Sequence, residues 1–193
     1  MKQILLAVAT LLVVAAGASA DTGAVAPTTR PEIRPFFATY VPTGKQRDVL
    51  KDAALVGGQL ALEMREFLHL TGSFAWSPNT DRLRRADNRV SVFQYDIGAE
   101  VFRSTPLTGE WMLRPFVGAG IGGRTYDFRD VRTKAHSDPV GYGALGTEFQ
   151  LSRVSLRVEG RDYVSRFKGL SGLEKTSTRN DVNVWAALAY HLR

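Results

Sequence analysis

His136-Ser137-Asp138 sets the three side-chain types of a nucleophilic triad side by side. A triad needs those groups to converge, and neighbours on an extended chain point to opposite sides. Asp138 also stands before Pro139, which reads as turn chemistry. The tripeptide therefore carries no catalytic assignment, and no catalytic residue is expected. His69 and His191 stand at no metal-ligand spacing, and the 193 residues contain no cysteine. No metal and no cofactor is expected.

The chemistry that the spacing supports is charge pairing. Arg157, Glu159 and Arg161 recur every second residue, and Asp96 and Glu100 keep the same phase on another segment. A period of two puts such residues on one face of a β-strand. That parity also collects Arg34, Arg114 and Arg124 with Glu63 and Glu148, so five arginines meet five carboxylates. Charges enclosed together must be paired. A balanced set predicts a network of ion pairs, whereas an ion-selective pore calls for an excess of one sign.

Strands must position these residues, and eight candidates do so: Ile33–Val41, Val56–Met64, Phe67–Trp76, Val90–Phe102, Trp111–Tyr126, Val140–Leu151, Val154–Val164 and Val182–Leu192. Arg47–Leu55 is the best helix candidate beyond the N-terminal segment, and it is short. The connections Arg65-Glu66, Arg103–Glu110 and Ser152-Arg153 are short, while Pro42–Leu55, Ser77–Arg89, Asp127–Pro139 and Ser165–Asp181 are long. Strict alternation of short and long is what an up-and-down meander shows when one end is trimmed and the other elaborated.

Every strand divides into an apolar and a polar face, with lapses at Pro115, Thr147 and Asp162. Periodicity alone allows two barrels, a soluble one with an apolar cavity and a membrane one with a polar lumen. Gly109-Glu110-Trp111 matches the G-x-W pattern of lipocalins, but it lies mid-chain rather than at the first strand. Two observations favour the membrane barrel. Gly98, Gly118, Gly120, Gly122 and Gly146 fall on the charged face, where a narrow lumen needs room for side chains from across. Trp76, Trp111 and Tyr190 fall near strand ends on the apolar face, as an interfacial girdle does. The expected fold is all-β, an eight-stranded antiparallel up-and-down transmembrane β-barrel.

The N-terminus is expected to be processed. Met1-Lys2-Gln3 is a basic start, Ile4–Gly17 an apolar run, and Ala18-Ser19-Ala20 a cleavage signal, so residues 1–20 read as a secretory signal peptide. Residues 21–31 read as an extended, Pro/Thr-rich lead-in and 32–193 as the barrel. The formal net charge is +6. Export argues against nucleic acid as its target and favours anionic lipid or lipopolysaccharide.

Arg114-Pro115-Phe116-Val117-Gly118-Ala119-Gly120-Ile121-Gly122 resembles the Pro-aromatic-Val-Gly-x-Gly-x-Gly strand of the eight-stranded OmpA-like outer-membrane β-barrels. Val158-Glu159-Gly160-Arg161-Asp162-Tyr163 is similar to that family's penultimate strand, which carries Glu and Arg into the lumen. The resemblance covers nearly all of the chain after the signal, as a barrel domain without a periplasmic peptidoglycan-binding domain. It implies a monomer in the cell outer membrane, inserted by the barrel-assembly machinery, with periplasmic termini and long loops outside. Such barrels usually end on an aromatic. Here Tyr190-His191-Leu192-Arg193 keeps the alternation, and Arg193 trails it.

Arg82, Arg84, Arg85 and Arg89 crowd the second long connection, and the other three hold Lys45, Arg47, Lys51, Arg129, Arg132, Lys134, Arg166, Lys168, Lys175 and Arg179. These residues fit solvated loops, and they equally fit contact with lipopolysaccharide phosphates, which arginine grips in a bidentate fashion. The sequence points to a non-enzymatic structural or surface-interaction protein. An enzyme acting on outer-membrane lipid is the alternative, then a narrow channel.

Overall fold

The computed structural model describes residues 31–43, 52–80, 89–128, 136–167 and 177–192. The signal segment, residues 21–30 of the lead-in, and Arg82, Arg84 and Arg85 lie outside them. So do Lys45, Arg47, Lys51, Arg129, Arg132, Lys134, Lys168 and Lys175.

Eight long strands form: β1 (Pro31–Pro42), β2 (Ala53–Arg65), β3 (Leu68–Thr80), β4 (Arg89–Phe102), β5 (Trp111–Phe128), β6 (His136–Leu151), β7 (Val154–Phe167) and β8 (Ser177–His191). Each pairs antiparallel with its sequence neighbours, and β1 pairs with β8, so the sheet closes into a barrel. A two-residue strand, Thr105–Pro106, on the β4–β5 connection pairs with the start of β5. Among the described residues no helix is long and apolar enough to cross a membrane.

The turns explain the trimmed end. Ser152-Arg153 joins β6 to β7, with Ser152 at φ 56°, and Gly109 takes φ 73° beside Trp111. Both lie in the left-handed region, which glycine enters without a Cβ penalty. The β2–β3 turn is Glu66-Phe67, one residue beyond the expected Arg65-Glu66, because a register irregularity between Glu63 and Arg65 lengthens β2.

At the other end the strands run further than hydrophobicity alone suggests. β3 continues to Thr80 and β8 starts at Ser177, and at the short-turn end β1 begins at Pro31, inside the expected lead-in. Ala53–Leu55, the end of the expected helix, is strand. His136-Ser137-Asp138 is strand rather than loop, and Asp138 is not in a turn. Polar residues can extend a ladder there because the pairing uses main-chain groups, which do not depend on side-chain type.

Parity sets the faces. On β1, Glu32, Arg34, Phe36, Ala38 and Tyr40 are buried while Ile33, Pro35, Phe37 and Thr39 are exposed. The outer wall is apolar, with Ile121 and Leu145 66% and 69% exposed, and the buried interior holds Arg34, Arg124 and Arg161 at 0–1%. Pro115 and Asp162 do face outward, and Thr147 is half-buried. Inside, Gly120 makes room. A Cβ there would come under 3 Å from the ring of Tyr142, its partner on neighbouring β6, which lies over Gly120 and Gly98.

Candidate functional site

All eight strands send polar groups into the lumen, and each strand contributes to one large connected cluster. Arg34 on β1 donates to Glu32 Oε2 at 2.6 Å, to Gln59 Oε1 on β2 at 2.8 Å and to Glu100 Oε2 on β4 at 3.0 Å. It also meets His69 Nδ1 on β3 at 3.0 Å. The other oxygen of Glu100 accepts from Arg157 on β7 at 2.7 Å. Arg157 reaches Glu159 at 3.0 Å and Glu148 on β6 at 3.5 Å, and Glu148 is 3.3 Å from Arg114 on β5. Arg161 pairs with Glu159 and, at 3.1 Å, with Asp96. Asp96 also accepts from Ser73 at 2.6 Å and from Tyr163 at 2.9 Å. On β8, His191 closes the cluster through Glu32 Oε1 at 2.8 Å and Ser155 Oγ at 2.7 Å.

A second cluster lies towards the long connections. Arg124 pairs with Asp181 on β8 and donates to Gln94 at 2.8 Å.

Four of the five lumenal arginines also lie on a ring. Arg157 is 3.5 Å from the Phe116 centroid, Arg161 3.7 Å from Trp185 and Arg114 4.1 Å from Phe102. Arg124 sits 5.0 Å from Tyr40. The flat guanidinium donates in its plane and offers its face to an aromatic quadrupole, so one side chain satisfies carboxylate and ring together.

The structure thus brings together nine of the ten residues that parity places inside: Arg34, Asp96, Glu100, Arg114, Arg124, Glu148, Arg157, Glu159 and Arg161. Glu63 keeps the parity but is only half-buried at the short-turn rim, and it joins none of the ion pairs found among the described residues. Sequence reasoning missed Glu32, Asp181 and Asp138, all buried. The first lay before the assumed strand start and the other two in assumed loops. Their signal was there: each continues the lumen phase of Arg34, Asn183 or Val140. The expected charge balance changes accordingly. Among the described residues, seven buried carboxylates face five guanidinium groups, with His69 and His191 among them.

Glu32, Glu148 and His191 lie within 4.8 Å of one another, a grouping of metal-ligating type. Arg34 and Arg114 already contact Glu32, and Arg114 and Arg157 contact Glu148, so guanidinium charge occupies the place a cation would take. Ser137 is exposed and hydrogen-bonded to Thr125 at 2.8 Å, whereas Asp138 is buried on the opposite face of β6. These two members of the tripeptide point apart. Of the four arginines of the second long connection, Arg89 is described, by its backbone, in β4 opposite Thr80, while Arg166 and Arg179, expected in the fourth, pair within β7 and β8 opposite Thr178 and Ser165.

No family model matches the chain, and no curated protein does. Solved structures do match. Neisserial surface protein A has a TM-score of 0.58 at 10% identity, over 83% of this chain and 96% of its own. OprG from Pseudomonas aeruginosa has 0.59 at 14% identity, over 86% and 97%. Ail, the attachment invasion locus protein of Yersinia pestis, solved with the heparin analogue sucrose octasulfate, has 0.53 at 12%, over 85% and 99%. At such identities the likeness is one of fold. This chain has the fold of the eight-stranded outer-membrane β-barrels.

Glu159 touches both Arg157 and Arg161, so reversing its charge strands two buried cations. Glu159→Arg is expected to lower folding stability by about 3–5 kcal/mol, measured as the shift of urea unfolding in lipid. Asp162→Asn, on the outer face, serves as the control and should leave the lumen network intact.

Proposed function

We propose that this chain is a non-enzymatic integral barrel of a Gram-negative-type outer membrane with a structural or surface-interaction role. The observation that supports it is inverted polarity: bulky apolar side chains cover the outside and paired charges fill the inside. Water outside would reverse that preference, and hydrocarbon satisfies it. In this reading the ion pairs and rings are a plug. Eight strands enclose a bore that side chains can fill, and here arginines cross it: Arg34 on β1 to Glu100 on β4, Arg114 on β5 to Glu32 on β1 and Arg157 on β7 to Glu100.

The reading continues to orientation. The short turns lie in the periplasm with both termini, and the long connections face outward. Their basic residues, Arg82, Arg84, Arg85 and Arg89 above all, contact lipopolysaccharide phosphates. The like-folded Ail was solved with a polysulfated sugar, and guanidinium groups recognise sulfate and phosphate oxygens by the same bidentate geometry. The barrel is a monomer inserted by the assembly machinery, and nucleic acid is not a target.

Three measurements test this. Val117→Arg, which puts a charge on the outer wall, should cost about 2–4 kcal/mol on refolding into lipid. A neutral substitution in a chain that stays soluble without detergent would reject the membrane barrel. Pure wild-type protein should give no large, steady, ion-selective steps in planar bilayers, and such steps would replace the plug with a channel. Protease added to intact cells should cut near Arg84, Arg132 or Lys175 and spare Arg65 and Arg153. Cutting at Arg65 instead would invert the orientation.

A further inference from the structure

Several outer-wall glycines have open space where a Cβ would stand, and two of them, Gly58 and Gly72, lie diagonally across neighbouring strands β2 and β3. A Cβ on Gly58 would meet nothing within 4 Å, and one on Gly72 only a carbonyl oxygen at 4.0 Å. Contrast Gly120, where a Cβ would strike Tyr142. Gly58 and Gly72 instead floor an open trough of about 700 Å³ on the apolar face. Ile33, Leu60, Gly72, Ile97 and Ile121 pair in one row across β1 to β5. Gly58, Phe74 and Tyr95 form the row above it. The apolar side chains of both rows are exposed, Ile97 and Ile121 by 64% and 66%.

The trough has the dimensions of one leaflet. Five strands leave four gaps of about 4.8 Å, hence a row of about 19 Å. Strands tilted by about 45° turn that row oblique, and it rises by about 14 Å, roughly half of a 30 Å hydrocarbon core. Its low end is Ile33, the third residue of β1, and its high end is Ile121, the eleventh of β5. It therefore climbs from the short-turn rim. At that rim Pro31 pairs with Leu62, and exposed Arg65 stands three residues further along β2, with Glu66 beside it in the turn.

We propose that this trough seats one acyl chain of a phospholipid whose phosphate lies by Arg65. The seat is continuous with the face that meets hydrocarbon, and its low end opens on the leaflet where phospholipid headgroups sit. The choice of phospholipid over lipopolysaccharide rests on the orientation proposed above, and protease cutting tests that separately.

The full processed chain, extracted in mild detergent and examined by native mass spectrometry, should retain one phospholipid per barrel. Gly58→Leu with Gly72→Leu fills the floor and should lower that occupancy at least tenfold, while Gly143→Leu, an equally open outer glycine on β6, should not. Retained lipopolysaccharide, a dimer, no lipid at all, or equal occupancy in the double variant would each overturn the proposal. A second measurement needs no variant: wild-type barrel in phosphatidylethanolamine vesicles bearing a photoactivatable acyl chain. Labels concentrated between Phe74 and Ile97 support the seat, and labels spread equally over β6 and β7 refute it.

Discussion

An unpaired amide in hydrocarbon costs several kcal/mol, so a membrane sheet survives only if its last strand finds its first. The pairing of β8 with β1 is the contact on which the rest depends. Its ladder runs from Glu32 opposite His191 to Pro42 opposite Asp181, but it skips Arg34 and Pro35. Proline has no N–H to give. Side chains reinforce the joint where the ladder is thin. His191 holds Glu32 at 2.8 Å, and Phe36 stacks on Trp185 across the seam with centroids 3.8 Å apart. Leu192 adds a main-chain bond to Pro31 at 2.9 Å.

The charged lumen follows from the same closure. A closed sheet with one face in hydrocarbon must fill its other face from within. A buried ion pair gains little over a well-packed apolar pair, because desolvation offsets the attraction. Its use here is a matter of sequence. Alternating charge with apolar residues keeps every strand from offering the long apolar run that marks a membrane helix. The desolvation cost is contained where one carboxylate serves two guanidinium groups: Glu100 holds Arg34 and Arg157, and Glu148 holds Arg114 and Arg157.

Period-two alternation is a local signal, and what it controls was legible in the sequence: eight strands, their order, and the lumen phase of residues such as Arg157 and Asp96. Strand ends were less legible. Hydrophobicity stops where the apolar wall stops, but the ladder continues through Ser137, Asn180 and Asp181 because main-chain pairing does not require apolar side chains. That single physical reason accounts for Asp138 and Asp181 being assigned to loops. Glu63 fails for the opposite reason. The register irregularity beside it leaves it at the rim, where the network has ended. The arginine–ring contacts were not legible at all, since a ring and a guanidinium on different strands meet only through the register between strands.

Glycine shows why one residue type can carry two meanings in one barrel. Gly98, Gly120 and Gly146 stand where the ring of Tyr142 or Phe116, from a nearby strand, lies over the inner wall, so the inside dictates them. Gly58, Gly143 and Gly160 face outward, where the nearest atom to a Cβ is at 3.9 Å or absent. The first group is a packing necessity that any larger residue violates. For the second group the packing supplies no such necessity. A larger side chain would fit there as well as glycine does, so bare backbone at those positions shapes the outer surface rather than the core that holds the barrel closed.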